Sequence, residues 1–282
     1  MNVGIGLPIS DPAALLAWAG RAEAGPFSTL GLLDRLVYHN PEPLVALAVL
    51  AGATSRIRIQ TEVLLAPLRD TALLAKQAAT VDRMSGGRLV LGLGVGGRDD
   101  DFHVAGADQR TRGRRLDEQV AVMRRLWRGE PYDASVGPIG PAPAQAGGPE
   151  ILFGGFQSAA LERVARCGDG FLAAAPPTRA GGLFDAVRSF WRQHGRDGQP
   201  RIVAQVNVAL GPQDVVDDAR ASMHAYYEFT GMASQMVSGM LTTAAGIRDA
   251  IARFADLGAD EVMLYCYGLD HAQADRLADI LR

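Results

Sequence analysis

Eight short apolar runs punctuate the chain, at residues 3–7, 27–33, 57–64, 88–93, 150–153, 170–174, 202–208 and 261–265. Most are near-continuously apolar rather than alternating, the pattern of parallel strands covered on both faces. Between them lie stretches with helical periodicity, at 12–24, 43–53, 71–84, 112–127, 158–167, 183–194, 215–229 with 244–257, and 272–281. Each strand is followed by a helix, and no shift in composition divides the chain. This predicts an α/β protein built as a single (β/α)₈ barrel over residues 1–282, with a doubly wound sheet as the alternative. Asp11 before Pro12 and Asp70 before Thr71 are placed to cap helices, and Gly86-Gly87 and Gly168 to end them. Two regions break the alternation: "EPYDASVGPIGPAPAQAGGP" (130–149) and the methionine-rich "TGMASQMVSGML" (230–241). They read as insertions after the fourth strand and before the eighth, of the kind that become lids or substrate walls. Met232, Met236 and Met240 are spaced four apart, either facing an apolar pocket or packing into core.

Composition narrows the functional classes. Hydrophobic residues make up 48% of the chain and charged ones 21%, ordinary for a globular enzyme with a large core. With Lys+Arg 28 against Asp+Glu 31, the net charge of −3 offers no basic surplus for a nucleic acid backbone. Cys167 and Cys266 lack metal-ligand spacing and read as small core residues in a reducing compartment. The start, "MNVGIGLPISDP", has no basic and apolar leader pattern, and the apolar run near 44–53 is too short to span a bilayer. The expectation is a cytoplasmic protein without membrane or nucleic acid partners.

Candidate chemistry follows from the barrel, whose active site lies where the loops leave the C-terminal strand ends. In "SGGRLVLGLGVGGRDDDF", Gly92, Gly94 and Gly97 match G-x-G-x-x-G. The match to a dinucleotide fold is weak, because the glycines run into Arg98-Asp99-Asp100-Asp101 instead of opening a helix, and Asp117 and Glu118 sit inside a helical pattern. As the loop above the fourth strand, Gly94, Val95, Gly96 and Gly97 instead let backbone approach a ligand, or form a plain turn. Above the fifth strand, Gly154, Gly155, Phe156 and Gln157 lead into a helix from Ser158, an arrangement suited to a phosphate. Asp34 and Glu62 are the carboxylates placed at strand ends, and Asp34 can equally form a structural pair with Arg35 or Arg69. His39, His103, His194, His224 and His271 are scattered, and no metal cluster is legible. A site poor in acids and bases and rich in glycine suits a cofactor that carries the chemistry.

The blocks "TEVLLAPLRDTALLAKQAATVDRMSGGRLVLGLGVGGRDDDFHVAG" (61–106) and "GGPEILFGGFQSAALERVARCGDGFL" (147–172) resemble the bacterial-luciferase-like superfamily of flavin- and deazaflavin-dependent oxidoreductases. Weaker similarity runs through "RRLDEQVAVMRRLW" and "IRDAIARFADLGADEVMLY". The resemblance implies a barrel that binds the ring at its mouth, with phosphate on the loops at Gly94–Gly97 and Gly154–Gln157. It also implies a non-proline cis peptide at Glu62-Val63 behind the ring. The chain departs from the deazaflavin enzymes where they often carry Ser-Asp-His, here Leu33-Asp34-Arg35, so a permanent cation replaces a titratable ring. The aromatic or acidic residue sometimes found after the glycine loop is Gly97 here, and a usual proline is Thr71. The leading expectation is a monooxygenase that uses reduced FMN from a separate flavin reductase on a small organic substrate, with Asp34 and Arg35 as polar groups at the reacting edge. The alternatives are hydride transfer with the deazaflavin coenzyme (F-420 type) and a non-catalytic flavin-binding protein; a phosphosugar isomerase or aldolase is more distant. A homodimer is implied as well, with the apolar helix at 43–53 as a contact surface.

Overall fold

The computed structural model describes residues 1–8 and 11–282. Eight parallel strands close into one barrel: β1 (Asn2–Leu7), β2 (Thr29–Leu32), β3 (Arg58–Leu65), β4 (Leu89–Gly94), β5 (Glu150–Gly154), β6 (Gly170–Ala173), β7 (Arg201–Val208) and β8 (Glu261–Cys266). Sequence order is spatial order, and β1 pairs with both β2 and β8. Around it run α1 (Leu15–Ala24), α2 (Pro43–Ala53), α3 (Thr71–Met84), α4 (Asp99–Ala105), α5 (Arg112–Trp127) and α6 (Ser158–Cys167). The ring is completed by α7 (Pro177–Gln193), α8 (Gln213–Tyr227), α9 (Ala233–Ser238), α10 (Ala244–Asp256) and α11 (Gln273–Leu281). Each strand predicted from the sequence forms, and the doubly wound alternative is excluded. No helix among the described residues is long and apolar enough to cross a membrane.

Local chemistry explains the boundaries. Asp11 accepts from Ala13 N–H and Asp70 from Leu73 N–H, each at 2.9 Å, as their cap positions predict. Gly86 and Gly87 follow α3 with φ of +67° and +85°. Two expectations are corrected. The charged run after the fourth-strand glycines does open a helix, α4, because Asp99, Asp100 and Asp101 sit in its first turn, where acids complement the helix dipole. α7 begins at Pro177 rather than at 183, since proline's fixed φ suits a first helical position.

The apparently continuous apolar strands conceal an alternation that makes two cores. Ile5, Leu30, Ile59, Leu91, Phe153, Phe171, Ile202 and Leu264 pack outward against the helices. Val90, Leu152, Leu172, Val203, Met263 and Tyr265 fill the barrel. The first residues of four strands carry charge and join in one network at the N-terminal end. Glu150 pairs with Arg58 and, at 2.6 Å, with Arg201; Arg201 also pairs with the fully buried Glu261, which accepts from Ser28 Oγ. This network plugs one end of the barrel and leaves the other for the site.

Candidate active site

At the C-terminal end of β3 the pairing with β4 shifts register between Thr61 and Leu64, and the Glu62-Val63 peptide within that shift is cis. The two side chains go to opposite parts of the mouth. Val63 seats on the neighbouring strands: a methyl added to Gly94 would lie 2.4 Å from Val63 Cγ2, and one added to Gly154 would lie 3.1 Å from Val63 Cγ1. These glycines, expected to make room for a ligand, make room first for a half-buried valine. Glu62 points into the barrel, where its Oε1 accepts from Gln60 Nε2 at 2.6 Å and its main-chain oxygen accepts from Tyr265 OH at 2.8 Å. Burial pushes the Glu62 carboxyl up to about 8, against the lowering effect of the nearby Tyr265 hydroxyl and of the Gln60 hydrogen bond.

The loops flanking this valine stay accessible. Val95 and Gly96 are half-buried and Gly97 is exposed, with open space where its Cβ would stand. Gly96 needs its positive φ of +74°. Above β5, Gly155 is half-buried, and Phe156 and Gln157 are exposed. No side chain caps α6 at Gln157. Ala160 and Leu161 N–H turn back to Gln157 O at 2.8 and 3.1 Å, while the two N–H groups before them have no acceptor within the helix. The Arg179 guanidinium stands 5.0 Å from the Phe156 ring centroid, bringing a cation to the same corner. On β7, Asn207 is half-buried, and its side-chain oxygen is enclosed without a hydrogen-bond partner.

Asp34 and Arg35 at the end of β2 are both buried, and they are engaged separately. Asp34 Oδ2 accepts from Leu65 N–H and from Arg69 Nη2, each at 2.8 Å, so of the two structural pairings open in the sequence the Arg69 one forms. Arg69 in turn reaches Glu42 at 2.6 Å, tying the site to the start of α2. Arg35 Nε donates to Asp101 on α4 at 2.9 Å, and Asp101 Oδ1 accepts from Leu36 and Val37 N–H at 3.1 and 2.7 Å. Around Arg35 stand the rings of Tyr38, Tyr226 and Phe229 at 5.6, 5.8 and 5.7 Å, and Arg98 stacks 3.9 Å over Phe229.

Tyr38 lies on the loop after β2, while Tyr226, on α8, and Phe229, in the short helix at 228–230, lead into the insertion expected before the eighth strand. Tyr226 packs edge-on against Tyr38 and Tyr227, with centroids 5.3 and 4.8 Å apart, and lies 6.4 Å from Tyr267. The segment then returns to the barrel, where Leu241 N–H donates to Asn207 O and Ala209 N–H to Leu241 O, both at 2.9 Å. Of the three spaced methionines, Met240 is buried and Met236 packs against the barrel interior, while Met232 is exposed, so they share no single face. Asp101, Tyr38, Tyr226 and Phe229 were not legible as site residues, whereas Asn207 and Tyr265 stand at the ends of the seventh and eighth apolar runs, where a barrel places its mouth. The aromatic pair in "HAYYEF" and the alternating tyrosines of "VMLYCYG" were the available signal.

The family model for luciferase-like monooxygenases matches residues 2–264. The chain belongs to the luciferase-like monooxygenase family. It is 37% identical over 138 residues to an uncharacterized protein of Mycobacterium tuberculosis, covering 46% of this chain and 47% of that one. It is 26% identical over 220 residues to 4-hydroxyprotoasukamycin monooxygenase of Streptomyces nodosus subsp. asukaensis, covering 71% and 57%. A 92-residue stretch is 34% identical to the oxygenase component of a flavin-dependent trigonelline monooxygenase of Acinetobacter baylyi, covering 32% and 26%. The chain thus spans about half the length of the curated relatives it matches. An F420-dependent secondary alcohol dehydrogenase shares the fold at TM-score 0.81 and 18% identity, covering 99% of this chain and 97% of that one. So does the oxygenating constituent of 3,6-diketocamphane monooxygenase of Pseudomonas putida, solved with FMN, at 0.81 and 14%, covering 100% and 96%.

Proposed function

We propose that the barrel mouth binds a flavin-type coenzyme, reduced FMN, and that the protein is a monooxygenase acting with a separate flavin reductase on a small organic substrate. The observation that carries this reading is the valine platform. Val63 stands on Gly94 and Gly154 between two accessible glycine loops, an apolar floor with anion-binding backbone at its rim. The donor set suits a phosphate: the uncapped start of α6 offers N–H groups, with Arg179 beside it. The unpartnered Asn207 oxygen adds a buried acceptor for a ring N–H or a ligand hydroxyl.

When bound, the coenzyme supplies the redox chemistry, and the chain's residues bind, orient and dry the site. Gly96, Gly97 and Gly155 to Gln157 hold the phosphate, and Glu62 and Val63 support the ring. Arg35, neutralised by Asp101, gathers Tyr38, Tyr226 and Phe229 into a wall that excludes water. Asp34, held by Arg69 and Leu65 N–H, fixes the loop from which Arg35 projects. Hydride transfer with the deazaflavin coenzyme is the second reading, favoured by the equal structural likeness to an F420-dependent dehydrogenase. The reductase requirement draws support from the similarity to an oxygenase component. Turnover assays with reduced FMN under oxygen, and with reduced F-420 without it, separate the two. Oxygen-dependent product with FMN supports the monooxygenase, and anaerobic product with F-420 replaces it with the hydride-transfer enzyme.

A further inference from the structure

The Glu62 carboxyl has no counterpart in the platform's apolar chemistry. It takes part in no ion pair among the described residues, and its Oε2 is enclosed without a hydrogen-bond partner. Yet the barrel is shaped around it. A methyl on Gly31 would fall 2.5 Å from Oε1, and one on Gly6 would fall 2.8 Å from Oε2 and against the Tyr265 ring. Gly31 therefore gives up a side chain to the carboxyl, and Gly6 to the carboxyl and the Tyr265 ring together. The groups facing it are Gln60 on its own strand, Tyr265 and Glu261 on β8, and glycines on β1 and β2, with no cation among them. A carboxylate with one donor and no positive neighbour is far costlier in such a place than the neutral acid. With Gln60 donating to Oε1, the proton belongs on Oε2.

The same residue is tied down at its other end. Tyr265 OH holds the Glu62 main-chain oxygen, and the next side chain is Val63, seated on Gly94 and Gly154 across the mouth. We propose that Glu62 is a positioning residue: docked as a neutral acid between Gly6 and Gly31, it keeps Val63 on its seat, and loss of its proton to solvent frees Val63 and weakens coenzyme binding. This rests on the mouth being the coenzyme platform. The upward shift of the carboxyl to about 8 puts the release just above neutral pH.

The test combines a readout without ligand and one with it. Valine-methyl NMR of the whole protein, with Val63 assigned through Val63→Ala, is followed from about pH 6 to pH 10 in the wild type and in Glu62→Gln. FMN, reduced and kept anaerobic, is titrated across the same range. The Val63 methyls are expected to move with a midpoint near 8 in the wild type and to stay still in Glu62→Gln. Above that midpoint the FMN dissociation constant should rise about tenfold per pH unit in the wild type. Glu62→Gln, a neutral side chain of the same shape, should restore alkaline binding to the level at neutral pH. Val63 methyls that ignore pH, or that move equally in Glu62→Gln, overturn the proposal. So does FMN affinity that fails to follow the methyl titration. If neither FMN nor F-420 binds at any pH, the coenzyme reading falls, and the methyl titration alone decides whether the carboxyl holds Val63.

Discussion

At the residue scale, the mouth is governed by which glycines are filled and which are open. Gly94 is filled by Val63, so Gly94→Ala forces a methyl into Val63 Cγ2. Overpacking of this kind costs about 1–3 kcal/mol, and the displaced valine should weaken FMN binding at least about tenfold in an anaerobic titration. Unchanged affinity would mean that Val63 does not support the ring. Glu62 also leaves a stability signature. Its folded-state pKa, about 8, lies above the ordinary carboxylate value, so its contribution is fully present at acidic pH and is lost as pH rises through about 8. Glu62→Gln should therefore flatten the fall of stability between about pH 4.5 and pH 8 in denaturant titrations. The glycine loops and the strand-end carboxylates were legible because glycine and isolated charge stand out in an apolar run. Their partners were not: nothing in the sequence tells that Asp101 lies against Arg35, or that Val63, Gly94 and Gly154 meet, since those contacts depend on register between strands distant in the chain.

At the element scale, the strands and most helices were readable from periodicity and caps, because each βα unit makes its own local signal. The inward alternation was hidden by the barrel's apolar filling, and with it the charged plug. Removing Arg201 leaves the buried Glu261 without its cation, while Glu150 keeps Arg58, so Arg201→Met should destabilise the fold by roughly 3–5 kcal/mol in urea unfolding. The aromatic wall is a second unit, stacked on Arg35 and Arg98 through the short helix at 228–230. Phe229→Ala removes both stacks, each worth about 0.5–1 kcal/mol at so exposed a ring, and should speed coenzyme release in stopped-flow traces while lowering the barrel's unfolding midpoint only slightly. A large drop in that midpoint would show instead that the wall is part of the core.

At the scale of the whole molecule, the charged plug at one end of the barrel and the glycine-rimmed valine platform at the other divide the fold into a stabilising end and a binding end. The proposed flavin-type coenzyme draws its support from membership of the luciferase-like monooxygenase family and from the geometry of the mouth. The most direct measurement is a pair of anaerobic binding titrations with reduced FMN and reduced F-420, repeated on Gly97→Asp. That position has open space for a side chain, so the substitution brings a negative charge to the phosphate rim without crowding the fold. The account predicts selective binding of reduced FMN, weakened at least about tenfold by Gly97→Asp through like-charge repulsion at the rim. Binding of neither coenzyme, or selective binding of F-420, would contradict it.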